Sequence, residues 1–321
     1  MGALLGLLII LAITGLLYER LAQRRVADQY PPPGQLIAIN GRRLHLNCQG
    51  TGTPAILLDA GQGGWSSDWR NIMEEVVELG RVCAYDRAGY GWSDPADDER
   101  SPQALADDLA ALLVAAQVEP PYLLVAFSHA GLPARIFAAR HANHMAGMVL
   151  VDPATEFDNA ILSEELMQQQ RATLGIFQGF ALAARLGLVR LLDPASMAGS
   201  APFISTRPAD PDLYYTFVAH PRWWQSSARE FQSHLTDAHL AQVAEEGVLP
   251  NIPLIIIGAG EVESSNTALA RLQTARQAHL RALAAEAPQG EYILAEGATH
   301  DILGERPDLI VAAIKRLLEG E

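Results

Sequence analysis

Tyr122-Leu-Leu-Val-Ala-Phe-Ser-His-Ala-Gly-Leu132 runs from an apolar stretch, through one serine, into a helix-like segment. Ala126 stands two places before Ser128 and Ala130 two places after it. Small residues at those offsets let the backbone turn tightly with the serine at its apex. Such a turn lifts the hydroxyl off a strand end, as a nucleophile requires. A serine at a strand-to-helix junction also serves as an ordinary helix cap. The rest of the chain has to decide between the two.

Upstream, Leu36–Ile39 and Leu44–Cys48 alternate around Asn40-Gly41, a hairpin signal. Ala55–Asp59 is a continuous apolar run, as in a strand covered on both faces, and Arg81–Tyr85 follows as a fourth strand. Ser101-Pro102 opens a helix whose Leu105, Leu109, Leu112 and Leu113 form one stripe. Tyr122–Ala126 and Met148–Val151 are two more buried strands. Strand signals then lapse until Pro253–Ile257 and Glu291–Ala295, before a closing helix over 307–318. This order predicts an α/β fold with a mostly parallel, doubly wound sheet of about eight strands. The expected core is residues 35–153 and 250–321, interrupted by a helical lid or cap insertion over 154–249.

The ends of those strands collect the chemistry, because open α/β sheets build their sites there. Ser128 and Asp152 stand at strand ends. Glu261 follows the strand ending near Ile257, and His300 follows the last strand. Serine, acid and histidine in that order suit nucleophilic acyl transfer: the histidine takes the serine proton and the acid fixes the imidazole. Asp152 is the preferred acid because a strand terminus fixes it; capping the insertion beside Pro153 is its other reading. Glu261 is the alternative.

Four segments in order resemble those of the α/β-hydrolase superfamily, over most of residues 35–320 outside the insertion. Leu57-Leu-Asp-Ala-Gly-Gln-Gly-Gly-Trp65 resembles the oxyanion segment, and Asp86-Arg-Ala-Gly-Tyr-Gly-Trp-Ser-Asp94 the glycine-rich loop, here read as a structural brace. Val125-Ala-Phe-Ser-His-Ala-Gly131 resembles the nucleophile elbow, and Gly297-Ala-Thr-His300 the histidine loop. The chain departs from the family in two places. Alanines replace the usual glycines of the elbow, and Ala60-Gly61 replaces the frequent His-Gly. The resemblance implies an oxyanion hole from the backbone N–H groups of Gln62 and His129. It also implies a serine hydrolase, esterase-like, needing no cofactor. A serine in place of an aspartate argues against epoxide opening or halide displacement. The alternatives are a non-catalytic ligand-binding or receptor-like protein and an anchored scaffold with a vestigial site. Phe203, Tyr214, Tyr215, Phe217, Trp223 and Trp224 in the insertion are expected either to line an acyl pocket or to pack the lid.

Composition narrows the partners. A net charge of −14 over 321 residues repels phosphate backbones, so nucleic acid is not an expected partner. Nine histidines without ligand spacing, two cysteines, and no G-x-x-x-x-G-K-S/T or G-x-G-x-x-G motif give no metal framework or phosphate loop. Residues 2–18 carry no charge, and Arg20, Arg24 and Arg25 follow them. Residues 1–25 are therefore expected to be an uncleaved membrane anchor, with a secretory signal as the other reading. The arginines favour a cytoplasmic domain. Residues 26–34, ending in Tyr30-Pro-Pro-Pro-Gly34, are read as a stiff linker. Cys48 and Cys83 fall on neighbouring strands and are expected to be buried free thiols, a cross-strand disulfide being the alternative.

Overall fold

A computed structural model describes residues 2–197, 208–260 and 267–320. Eight strands form one sheet: β1 (Gln35–Ile39), β2 (Arg42–Gln49), β3 (Ala55–Asp59), β4 (Val82–Tyr85), β5 (Tyr122–Phe127), β6 (Met145–Val151), β7 (Leu254–Ala259) and β8 (Gly290–Ala295). Their spatial order is β1-β2-β4-β3-β5-β6-β7-β8. β1 and β2 pair antiparallel, as does β2 with β4, and every later pairing is parallel. All eight expected strands are present.

The apolar runs explain why the middle strands lie where they do. Every residue of β3 and β7 is buried, so helices must cover both faces. Alternation divides each strand between two cores. Leu57, Leu124 and Ile256 join one cluster, while Ile56, Leu58, Leu123, Val125, Ile255 and Ile257 join the other. The helix Pro102–Ala115 starts as expected, with the Ala104 N–H donating to Ser101 Oγ at 3.2 Å and Pro102 in its first turn.

Between β6 and β7 the described residues are helical and form a cap, including helices Glu164–Arg185, Leu188–Leu191, Pro211–Val218 and Pro221–His234. The cap has its own apolar cluster. Phe217, Trp223 and Trp224 lie buried inside it, so they pack the lid. Tyr215 packs against the same cluster from its edge and lines a cavity beside Tyr30 and Arg190, away from Ser128, whereas Tyr214 faces the cavity that holds Ser128. Phe203 lies outside the described residues.

Two expectations are corrected. Cys48 and Cys83 stand opposite each other on β2 and β4 and are joined as a disulfide, so they are not free thiols. Residues 26–29, expected in the linker, continue the N-terminal helix Gly2–Gln29. Val26 is buried in the cap cluster, and that apolar contact sustains the extra turn. Trp92 Nε1 donates to the Tyr30 carbonyl at 2.8 Å, and only the following prolines and Gly34 remain as connection.

Candidate active site

The chain order of the strands reverses between β3 and β5, so the segments leaving them diverge and open a crevice at their carboxyl ends. Ser128 lies in that crevice. Phe127 ends β5 in extended conformation, Ser128 adopts φ +54°, and the backbone then passes through one 3₁₀ turn into the helix Gly131–Arg140. A left-handed non-glycine residue costs about 1–3 kcal/mol and persists only where its surroundings enforce it. Here the Ala154 N–H donates to the Ser128 carbonyl at 2.8 Å. A Cβ on Gly131 would stand 2.5 Å from Pro153 Cβ. Ala126 and Ala130 are completely buried, so their methyl groups fit. The position that admits no side chain is Gly131, three places after the serine.

His300 comes from the segment after β8. Gly297 turns that segment at φ +73°, and the Thr299 N–H donates to Glu305 Oε2 at 2.7 Å. The imidazole stacks on Phe127 with ring centroids 5.0 Å apart, and about half of its side chain remains exposed. Its Nε2 lies 2.9 Å from Ser128 Oγ, and its Nδ1 lies 2.5 Å from Asp152 Oδ2.

Asp152 follows β6 in a left-handed conformation of its own, φ +37°, and is almost wholly buried. Its backbone N–H donates to the Ile257 carbonyl at 2.6 Å, and its Oδ1 accepts from the Ala259 N–H at 3.3 Å. Arg276, on the helix Thr267–Glu286, donates through Nη1 to Asp152 Oδ2 at 2.9 Å. It also donates to the Pro153 carbonyl at 2.7 Å and to Asp158 Oδ1 at 3.2 Å. Burial would push the Asp152 carboxyl up. Arg276 and the His300 hydrogen bond outweigh that and hold it well below the usual carboxylate range. Ser128, His300 and Asp152 are thus brought together; Glu261 lies outside the described residues.

The segment after β3 closes the other side. A Cβ on Gly61 would lie 3.2 Å from Ser128 Cβ, which brings the Gly61-Gln62 backbone against the serine. Arg87 holds that backbone. Its Nη1 donates to Asp59 Oδ1 at 2.7 Å and to the Ala60 carbonyl. Its Nη2 donates to the Gly61 carbonyl at 2.7 Å. The same guanidinium pairs with both oxygens of Glu230 on the cap helix, at 3.0 and 3.1 Å. Arg87 thus ties the Ala60-Gly61 turn to the cap, and the Asp86–Asp94 loop is a brace as expected. His129 sits beneath the serine, 3 % exposed. Burial pushes its imidazole down to about 3, so the ring is neutral.

Two cavities flank the Ser128–His300 pair. One, of about 440 Å³, is lined by Gly61, Gln62, Asp68, Tyr214 and Leu303. The other, of about 320 Å³, is lined by His129, Ile161, Leu162, Phe231 and Arg276. Sequence reasoning missed Arg276 and Glu230. Neither sits in a spacing pattern; each acts through a tertiary approach across more than a hundred residues.

Among known proteins, a family model described as the alpha/beta hydrolase fold matches residues 54–231. The uncharacterized protein YqjL of Bacillus subtilis is 34 % identical over 106 residues, 33 % of this chain and 42 % of that protein. A 2-hydroxymuconate semialdehyde hydrolase of a Pseudomonas species is 31 % identical over 128 residues, 39 % of this chain and 44 % of that protein. The matched segment therefore spans less than half the length of either relative. Among solved structures, the enol-lactonase from Burkholderia xenovorans superposes with a TM-score of 0.61 at 20 % identity, covering 89 % of this chain and 100 % of that one.

Proposed function

The chain belongs to the α/β-hydrolase fold family, and we propose that within it the protein is a serine hydrolase cleaving carboxylic esters. The observation that carries this reading is the single imidazole of His300, within hydrogen-bond reach of Ser128 Oγ on one side and Asp152 on the other. Ser128 Oγ attacks the ester carbonyl while His300 Nε2 takes its proton. Asp152 holds the Nδ1 proton and stabilises the imidazolium that forms. The backbone N–H groups of Gln62 and His129 are the donors for the developing oxyanion. His300 then protonates the departing alcohol, and water, activated by the same imidazole, releases the acid. The flanking cavities give the acyl and alcohol portions separate room. Hydrolase names among the relatives agree with this chemistry.

The N-terminal helix is proposed to be a retained membrane anchor: its best 18-residue window has a mean hydropathy of 2.1 and is only 6 % buried. The Cys48–Cys83 bridge argues against the cytoplasmic placement that the arginines favour, and for an oxidising compartment.

A fluorophosphonate probe tests the reading. The folded protein should be labelled, and Ser128→Ala should not be. A folded wild type that resists the probe would favour the non-catalytic binding protein. p-Nitrophenyl esters of increasing acyl length would then define the substrate.

A further inference from the structure

We propose that the cap face carrying Leu182, Leu188, Leu191 and Leu192 is seated in the surface of a phospholipid bilayer, beside the N-terminal helix. The proposal rests on the reading of that helix as a membrane anchor.

The cap face is unusually apolar for exposed surface. Leu182, Leu188, Leu191 and Leu192 are 45–66 % exposed within eleven residues of chain, and Ile176 is 43 % exposed on the same long helix. Among the described residues beyond the N-terminal helix, the other exposed large hydrophobics are Leu79, Val114 and Val248, which are scattered. Single exposed apolar residues need no explanation; a contiguous cluster does.

What covers the cluster follows from its position along the anchor. A Cβ on Gly15 would stand 2.4 Å from the Leu186 carbonyl oxygen, and one on Gly187 would stand 2.6 Å from the Tyr18 ring. The 186–187 turn therefore packs against residues 15–18 with no side chain between them. Residues 2–18 are uncharged. At 1.5 Å per residue they rise about 25 Å. A hydrocarbon layer of about 30 Å uses all of that length, so Gly15 and Tyr18 sit at its margin. The cap turn touching them sits at the same depth.

The first charge after the run marks the boundary. Glu19 is 2 % exposed, and both its oxygens accept from Arg190, at 3.0 and 2.9 Å. A carboxylate at the edge of the hydrocarbon is thereby neutralised by the cap itself. Leu188, Leu191 and Leu192 lie within two residues of that arginine, so the ion pair fixes the cluster at the membrane boundary. Leu182 shares its helix with Gln170, which lines the cavity beside Ser128. One rigid element therefore joins the membrane face to the site.

The full chain, reconstituted in phosphatidylcholine nanodiscs, tests this with single added cysteines at Leu191→Cys, Leu11→Cys and Val114→Cys, each carrying an environment-sensitive fluorophore. The unsubstituted chain provides the labelling background. Lipids spin-labelled near the headgroup should quench the probe at 191 several-fold relative to the probe at 114. A probe at 191 that is quenched no more than that at 114, while lipids spin-labelled along the acyl chain quench the probe at 11, overturns the proposal and leaves the anchor intact. A probe at 11 that no lipid quenches overturns the anchor itself, and the proposal with it.

Discussion

Arg276 donates to the same oxygen of Asp152 that meets His300 Nδ1. The proposed triad acid is thus held between two cationic partners, one of which forms only when the imidazole takes a proton. The permanent partner keeps the carboxylate ionised in a buried place, where burial alone would favour its neutral form.

Replacing Arg276 with Gln should therefore weaken both activity and acid resistance. A carboxyl whose folded pKa is depressed stabilises the fold above its unfolded pKa, and that stability is lost as pH falls through the folded value. Without Arg276 the folded value rises, and acid unfolding should begin at higher pH. Removing one member of a buried pair costs about 3 kcal/mol. Circular dichroism across an acid titration measures the shift, and Arg276→Lys should recover part of it. An unchanged acid midpoint in Arg276→Gln would show that the guanidinium does not hold this carboxyl.

The choice of Asp152 as the acid makes its own prediction. Asp152→Asn should lower kcat by about 10⁴-fold, because the amide no longer holds the reactive imidazole tautomer. Glu261→Gln should remain within a few-fold of wild type. Steady-state hydrolysis of a p-nitrophenyl ester compares them directly, and equal activity of Asp152→Asn and wild type would remove Asp152 from the role.

The candidate site is only partly legible in the sequence. Ser128, His300 and Asp152 were legible because each ends or follows an apolar strand, and strand ends are where a parallel sheet presents side chains. The Ala126 and Ala130 offsets were legible too, whereas the need for Gly131 was not, since Pro153 crowds it from a different strand end. Arg276 and Glu230 were invisible for the same reason: a buried ion pair leaves no local periodicity. The cysteines illustrate the limit from the other side. Their place on neighbouring strands is legible in the sequence, but the register that sets Cys48 opposite Cys83 is a property of the assembled sheet.

Asp68 lines the larger cavity, and its carboxyl is pushed up to about 7, by burial first and by Asp86 and Asp301 in addition, against the Trp65 N–H. A carboxyl raised in the folded state stabilises the fold at low pH, and that contribution is lost as pH rises from about 4 towards 7. Asp68→Asn should therefore gain thermal stability relative to wild type over that interval, with the difference levelling off above it. Calorimetric Tm values at several pH values test this. A difference in Tm that does not vary with pH would contradict the shift.

Glu230 pairs with Nε and Nη2 of Arg87, whose Nη1 and Nη2 also donate to the Ala60 and Gly61 carbonyls just before Gln62. Burial would push the Glu230 carboxyl up, yet Arg87 holds it below its usual range, so the pair is ionic. Glu230→Gln keeps the shape and removes the charge that orients the guanidinium. If the guanidinium positions the Gln62 N–H, the loss should fall on the transition state and not on substrate binding. We expect kcat to fall on the order of 10-fold, less than the 10²–10³ for losing an oxyanion donor outright, with KM nearly unchanged. Affinity for a boronic acid that mimics the tetrahedral intermediate should fall in parallel with kcat. A variant whose KM rises while kcat and boronate affinity hold would instead make Glu230 a latch for the cap alone, with no hand in setting the oxyanion donor.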